Sequence, residues 1–190
     1  MRGGSVTAME TSARQWFERR TSRAEDWPVA EVLAAKRRRR ARISVVIPAR
    51  NEASTIGGIV AEIKRALVDE VPRVDERGVM DSDSDDATAE RAAAHGAATY
   101  HVTDVRPDLG GSPGKGEALW KSTFVTTGDL LVFIDADLTD RGSHYVTGLV
   151  GPLLADGEIQ LVRGFFGLDA IAQVDLGRRP TGTRACTTSA

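Results

Sequence analysis

The 190-residue sequence contains one cysteine, Cys186. A lone cysteine excludes an internal disulfide framework and any zinc site built on cysteines, and it suits a reducing compartment. Aromatic residues are sparse, at 5%. The three histidines, His95, His101 and His144, are scattered and show no metal-ligand spacing. No apolar run approaches the roughly 20 residues that span a bilayer, and the N-terminus lacks the apolar stretch of a secretory signal. The expectation is therefore a cytoplasmic protein without stable membrane association. Charge of one sign is also lacking: 25 basic against 27 acidic residues leave a net charge of -2, so no nucleic-acid partner is expected. The basic run at residues 36–40 is short enough to be a solvated linker. What is present is 41% hydrophobic residues, enough for one globular domain with a real core.

Along the chain, residues 1–12 are small and polar and read as frayed. Residues 13–40 carry scattered apolar positions (Trp16, Phe17, Trp27, Val32, Leu33) and read as short helices. Ile43-Ser-Val-Val-Ile47 is a β-branched run of the kind buried parallel strands use. Ile56, Ile59, Val60, Ile63 and Leu67 then recur at helical spacing, with Asn51 as a candidate N-cap. A second strand is expected near Val79-Met80, poorly formed because Arg77 and Gly78 interrupt it. The acidic loop 81–86 follows, then a helix over 87–95 stopped by Gly96. Residues 97–102 read as a third strand and 103–114 as a Pro/Gly loop. A helix over 115–125 precedes Leu130-Leu-Val-Phe-Ile134, the clearest strand. Val146, Leu149, Val150 and Leu153 mark a further helix, and Ile159-Gln-Leu-Val162 the last strand. From Gly177 the sequence loses apolar period and reads as a disordered tail. Strands alternating with helices imply βαβ units and a mostly parallel α/β sheet with flanking helices. Such sheets bind ligands beyond the carboxyl ends of their strands, where three polar loops fall: 48–52, 81–86 and 135–137.

Asp135 and Asp137 are two apart in an extended segment, so both carboxylates project to one side. Hard divalent cations such as Mg²⁺ or Mn²⁺ take oxygen ligands, often one or two carboxylates completed by substrate phosphates. A bare Asp-x-Asp also occurs in solvated strand-end turns; its placement after a buried strand, beside two further polar loops, favours the metal reading. Asp81 and Ser82 are placed to meet a nucleobase N–H, although an Asx-type turn capping the next helix explains the same residues. Pro113-Gly-Lys-Gly-Glu-Ala-Leu119 sets Lys115 and backbone N–H groups at a helix start, a phosphate-holding arrangement. It departs from the Walker loop at Leu109 and Gly116. Glu52 suits a ribose hydroxyl, or simply complements the helix dipole.

These stretches together resemble the glucosyl-3-phosphoglycerate synthases, GT-A-fold (Rossmann-like) glycosyltransferases related to family 2. The resemblance is carried by Ser44-Val-Val-Ile-Pro-Ala-Arg-Asn-Glu52, Met80-Asp-Ser-Asp-Ser-Asp-Asp86, Pro113-Gly-Lys-Gly-Glu-Ala-Leu-Trp120 and Val132-Phe-Ile-Asp-Ala-Asp-Leu138, and covers about residues 13–166. It implies UDP-glucose as donor, 3-phosphoglycerate as acceptor, retention of anomeric configuration and Mg²⁺ or Mn²⁺ as cofactor. By position it implies that Pro48, Ala49, Glu52, Asp81 and Ser82 hold the nucleoside. Lys115 would reach the phosphates or glucose, Asp135 and Ala136 would lie along the ribose and sugar, and Asp137 would ligate the metal. Lys115 and Asp135 are the implied catalytic pair, and a homodimer is compatible with the family.

The departures are equally specific. Arg50 stands where the family usually has leucine, and Ala136 where serine is common. The second strand carries extra residues upstream. After Phe166 the family continues with a large acceptor-binding block and a metal-completing histidine, whereas this chain passes to Gly167-Leu-Asp-Ala-Ile-Ala and has no histidine beyond His144. The expected organisation is a helical leader (1–40), an incomplete nucleotide-sugar-binding domain (41–166), and a residual strand with disordered tail (167–190). An internal deletion followed by a frameshift accounts for that junction. The alternatives to this active transferase are an inactive truncated remnant that only binds the sugar nucleotide, or another family 2-like glycosyltransferase.

Overall fold

The computed structural model describes residues 4–138, 142–166 and 183–189. In chain order, the leader forms helix α1 (Gly4–Arg20), strand β1 (Thr21–Arg23), a 3-10 turn (Ala24–Asp26) and helix α2 (Val29–Arg39). Strands and helices then alternate: β2 (Ile43–Ala49), α3 (Ile56–Lys64), β3 (Glu76–Asp81), α4 (Thr88–Ala94), β4 (Ala98–His101), α5 (Lys115–Ser122) and β5 (Leu130–Phe133). Helix α6 (His144–Ala155) and strands β6 (Ile159–Phe166) and β7 (Thr183–Ser189) complete the order. Among the described residues no helix is long and apolar enough to cross a membrane.

Two compact units result: residues 36–143, and residues up to 35 together with those from 144 onward. The first is an α/β domain on four parallel strands in the order β4-β3-β2-β5. β2 is central, and all seven of its residues are buried, as a strand covered on both faces requires. Its one hydroxyl residue is satisfied internally. Ser44 Oγ donates to Glu76 Oε2 at 2.6 Å and accepts the Gly128 N–H at 3.0 Å. Asp75 Oδ2 accepts the Ile43 N–H at 2.8 Å and pairs with Lys36 at 2.7 Å. These contacts fasten the strands at their N-terminal ends.

Strand β3 corrects the expectation of an interrupted element. It is continuous, pairing with β2 from Glu76 to Asp81 and with β4 from Gly78 to Asp81. Two ladders outweigh a weak local propensity. The Tyr100 ring of β4 packs over Gly78, 3.4 Å from where a Cβ would stand. Helix α3 buries Ile56, Ile59, Val60 and Ile63 as its periodicity predicts, but Thr55 occupies the N-cap position. Asn51 instead adopts a left-handed conformation, φ 57°. The helix continues as a π turn over Arg65–Asp69, which sequence spacing does not announce. Helix α4 stops where expected, with Gly96 at φ 86°. Helix α5 ends at Ser122 rather than 125.

The second unit is built on an antiparallel sheet in the order β1-β7-β6. Three expectations are corrected there. β6 pairs antiparallel with β7 instead of adding to the parallel sheet. Residues 183–189 form a strand rather than a disordered tail, because β1 and β6 hydrogen-bond it on both sides. α1 begins at Gly4, inside the stretch expected to fray. Helix α6 packs onto the leader: a Cβ at Gly151 would lie 2.3 Å from Trp27 Cγ, and Trp27 Nε1 donates to Ser22 Oγ at 3.0 Å. That packing places α6 and β6 in one compact unit with the leader, the units meeting at 35/36 and 143/144. Trp27 is a packing residue as expected, whereas Trp16 and Trp120 are each 44% exposed. The strand-like segment expected at 167–177 lies outside the described residues.

Candidate functional site

The ladders of β2, β3 and β4 run out together. Ala49 lies beside Asp81, and Asp81 beside His101. Ser82 N–H donates to Ala49 O, and Val102 N–H to Asp81 O, each at 2.9 Å. On the other flank the β2–β5 ladder stops earlier, at Val46 and Phe133, with Ile134 N–H donating to Val46 O at 3.0 Å. Pro48 has no N–H with which to extend it, and β5 parts from β2 there. From β2 the chain proceeds to β3 and β4 on one side and later reaches β5 on the other. The crevice between β2 and β5 is thus the topological switch point, where open α/β sheets bind ligands.

Four segments meet in that crevice around one hollow of about 280 Å³. Pro48, Ala49, Arg50 and Glu52 come from the loop after β2, and Ser82 from the loop after β3. Gly114 and Lys115 come from the start of α5, and Asp135, Ala136 and Asp137 from the end of β5. Ile134 and Ala136 are buried while Asp135 and Asp137 are exposed, so the alternation does project both carboxylates together. The Lys115 ammonium forms an ion pair with Asp135. Glu52 is held from two sides: its N–H donates to Thr88 Oγ1 at 2.8 Å, and its Oε2 accepts the Thr55 hydroxyl at 2.8 Å. Asp137 makes no hydrogen bond or ion pair with another described residue. Three carboxylates and two cations therefore share one small space. A second hollow, of about 400 Å³, shares Arg50, Ser82 and Gly114 with the first and extends to Glu117 and Lys121.

Asp81 is placed differently from expectation. It is only 1% exposed and does not line the hollow. One of its oxygens accepts the Ser84 hydroxyl, and the other lies 3.1 Å from His101 Nδ1, a contact in which the protonated nitrogen donates. Ser84 Oγ in turn accepts the Asn51 N–H at 2.9 Å, and Asn51 Oδ1 accepts the Asp85 N–H at 3.0 Å. Asp81 thus sets the loops that carry Ser82 and Glu52. Asp86 forms an Asx-type turn just ahead of α4: Oδ1 accepts the Thr88 N–H at 2.9 Å and the Thr88 hydroxyl, and Oδ2 accepts the Ala53 N–H at 3.1 Å. The Thr88 hydroxyl is the first cause holding the Asp86 carboxyl below its ordinary range. Sequence reasoning missed His101, because nothing local ties it to Asp81; only the β3–β4 register does. It also gave Arg50 no role, although the residue lies inside the 48–52 motif and lines both hollows.

The open parallel sheet with an acidic pair at its switch point is an α/β fold of the GT-A type. The sequence profile described as glycosyl transferase family 2 matches residues 44–169, and the chain belongs to that family. It is 41% identical over 152 residues to the glucosyl-3-phosphoglycerate synthase of Mycolicibacterium smegmatis, covering 80% of this chain and 48% of that protein. The chain thus spans about half the length of the curated relatives it matches. Among solved structures, mannosyl-3-phosphoglycerate synthase from Rubrobacter xylanophilus superposes with a TM-score of 0.73 at 37% identity, covering 77% of this chain and 47% of that one. Glucosyl-3-phosphoglycerate synthase from Mycobacterium tuberculosis, in complex with Mn²⁺, uridine diphosphate and glucosyl-3-phosphoglycerate, does so with a TM-score of 0.67 at 36% identity, covering 85% of this chain and 61% of that one.

Proposed function

We propose that the hollow between β2 and β5 is the donor site of a metal-dependent glucosyltransferase, taking UDP-glucose and delivering its glucose to 3-phosphoglycerate. The products are glucosyl-3-phosphoglycerate, UDP and a proton: the bond from the anomeric carbon to the diphosphate breaks, the acceptor hydroxyl gives up its proton, and a bond from the anomeric carbon to that oxygen forms. The single observation that carries this reading is the convergence of loops 48–52, 82, 114–115 and 135–137 on one space at the switch point. In it, Pro48, Ala49, Glu52 and Ser82 line the nucleoside end. Lys115 sits where a leaving diphosphate develops charge, which a fixed cation stabilises. Asp135 and Ala136 line the hollow beside them.

The chemistry of the donor set fits a hard divalent cation of one particular kind. Among the described residues no cluster of three or more His, Cys, Asp or Glu side chains is arranged to hold a metal. Glu52 is engaged by Thr55 and Asp135 by Lys115, which leaves Asp137 as the carboxylate of the three with no partner among the described residues. One carboxylate suffices for Mg²⁺ or Mn²⁺ when substrate phosphates supply further oxygens. Asp137 would hold such an ion, and the ion would neutralise charge on the leaving diphosphate. Lys115 and Asp135 hold each other in place until the phosphates draw the ammonium away.

Calorimetric titration of UDP with and without Mn²⁺ tests the reading. Binding is expected to require the metal in the wild type and to vanish in Asp137→Ala. UDP heats that persist unchanged in that variant sink the metal assignment. Equal heats with and without Mn²⁺ sink the proposal as a whole. Transfer of radiolabelled glucose to 3-phosphoglycerate is the corresponding assay for the acceptor.

A further inference from the structure

Lys121, in the last turn of α5, is 1% exposed. An ammonium removed from water needs partners. Its Nζ donates to the Val102 carbonyl at 3.0 Å, just past the end of β4. It also lies 3.1 Å from Glu117 Oε1, one helical turn earlier. The Glu117 side chain is 10% exposed. Its Oε1 forms no hydrogen bond, so the contact with Lys121 is ionic. The same oxygen lies 3.7 Å from where a Cβ at Gly111 would stand. One buried cation therefore joins the exit of β4 to the first turn of α5, and Glu117, its partner there, is tied to the adjoining loop by its N–H, which donates to the Gly114 carbonyl at 3.2 Å.

Stability alone does not account for this arrangement, because apolar residues of similar volume usually serve at least as well as a buried ion pair. Its location suggests another use. The adjoining loop delivers Gly114 and Lys115 to the donor hollow, and both charged groups line the neighbouring hollow. We propose that Lys121 is a positioning residue. With Glu117 it fixes the 111–115 strap so that Lys115 meets the phosphates of the sugar nucleotide at a set place. This inference rests on the donor-site reading above.

The test is a thermodynamic cycle on UDP binding in the presence of Mn²⁺, using the full chain. Lys121→Met is expected to weaken UDP about tenfold, or about 1.4 kcal/mol. Added to Lys115→Ala, it is expected to weaken binding no further, since Lys121 acts through Lys115. A merely structural residue gives losses that add, and additive losses overturn the inference. Because Lys121→Met strands Glu117, a second variant, Glu117→Leu with Lys121→Met, removes both charges and retains the packing. Circular dichroism verifies its fold. This folded pair variant is expected to show the same tenfold loss; wild-type affinity in it overturns the inference while leaving the donor site standing. A wild-type chain that binds no UDP with Mn²⁺ overturns both together.

Discussion

The ammonium of Lys115 and the carboxylate of Asp135 form an ion pair across the mouth of the hollow, with both side chains slightly more than half exposed, at 54% and 53%. A pair so exposed contributes at most about 1 kcal/mol to stability. Its members are therefore available to a ligand at little cost to the fold. Lys115→Ala is expected to leave the unfolding free energy within about 1 kcal/mol of wild type. The same variant should weaken UDP about 10- to 100-fold, the range for a hydrogen bond to a charged group. Uridine, which has no phosphate, should be unaffected. Equal losses for UDP and uridine would move Lys115 to the nucleoside end.

Asp81 is buried and engages both Ser84 and His101. Asp81→Ala leaves the Ser84 hydroxyl and the His101 ring without that partner. Urea unfolding should show a loss of about 1–3 kcal/mol. UDP affinity should fall as well, because Ser82 and the Asn51–Glu52 segment lose their anchor. Full stability with weakened UDP binding would instead identify Asp81 as a direct ligand contact.

Asp86 predicts a pH dependence. Its folded-state pKa is depressed, first by the Thr88 hydroxyl and also by the Ala53 and Thr88 N–H groups. A depressed carboxyl contributes stability that is fully present above its unfolded value, about 3.9. That contribution is lost as pH falls through the folded value. Stability measured from about pH 5 down to pH 2 should decline less steeply in Asp86→Asn than in the wild type. Parallel declines in the two proteins would remove Asp86 from the acid transition.

Gly128 lies against the hydroxyl of Ser44 in the central strand. A Cβ there would sit 2.4 Å from Ser44 Oγ and 2.7 Å from its backbone N. The strand cannot retreat, since β3 and β5 hold it on both sides. Gly128→Ala should cost about 2–4 kcal/mol, combining overpacking with the loss of the N–H to Ser44 hydrogen bond. A thermal melt near the wild-type midpoint would show that the turn relocates freely.

The sequence made β2 and β5 legible because buried parallel strands concentrate Val, Ile and Leu, and the Asp135/Asp137 alternation follows from strand geometry alone. Pro48, Glu52, Ser82 and Lys115 were legible as loop ends, and strand order then brought them together. Three features escaped. The continuity of β3 depends on ladders from both neighbours, which outvote Arg77 and Gly78 and leave no local trace. The inward turn of Asp81 depends on His101, visible only once β3 and β4 are in register. The strand at Thr183–Ser189 has no apolar alternation; pairing with β1 and β6 defines it.

The π turn at Arg65–Asp69 fixes the length of its segment. It brings Ala66 and Leu67 into the core, 5% and 0% exposed. The Leu67 carbonyl also accepts the N–H groups of Arg73 and Val74, at 2.9 and 3.0 Å. A π turn holds one residue more than an α turn, so removing one residue would rewind it locally, shifting Leu67 in its socket and disturbing the turn that delivers Asp75 to the head of β2. A surface-looking stretch is thereby closed to insertions and deletions. Variation in chain length has to be accommodated elsewhere, in loops whose residue count is not locked by the winding of a helix.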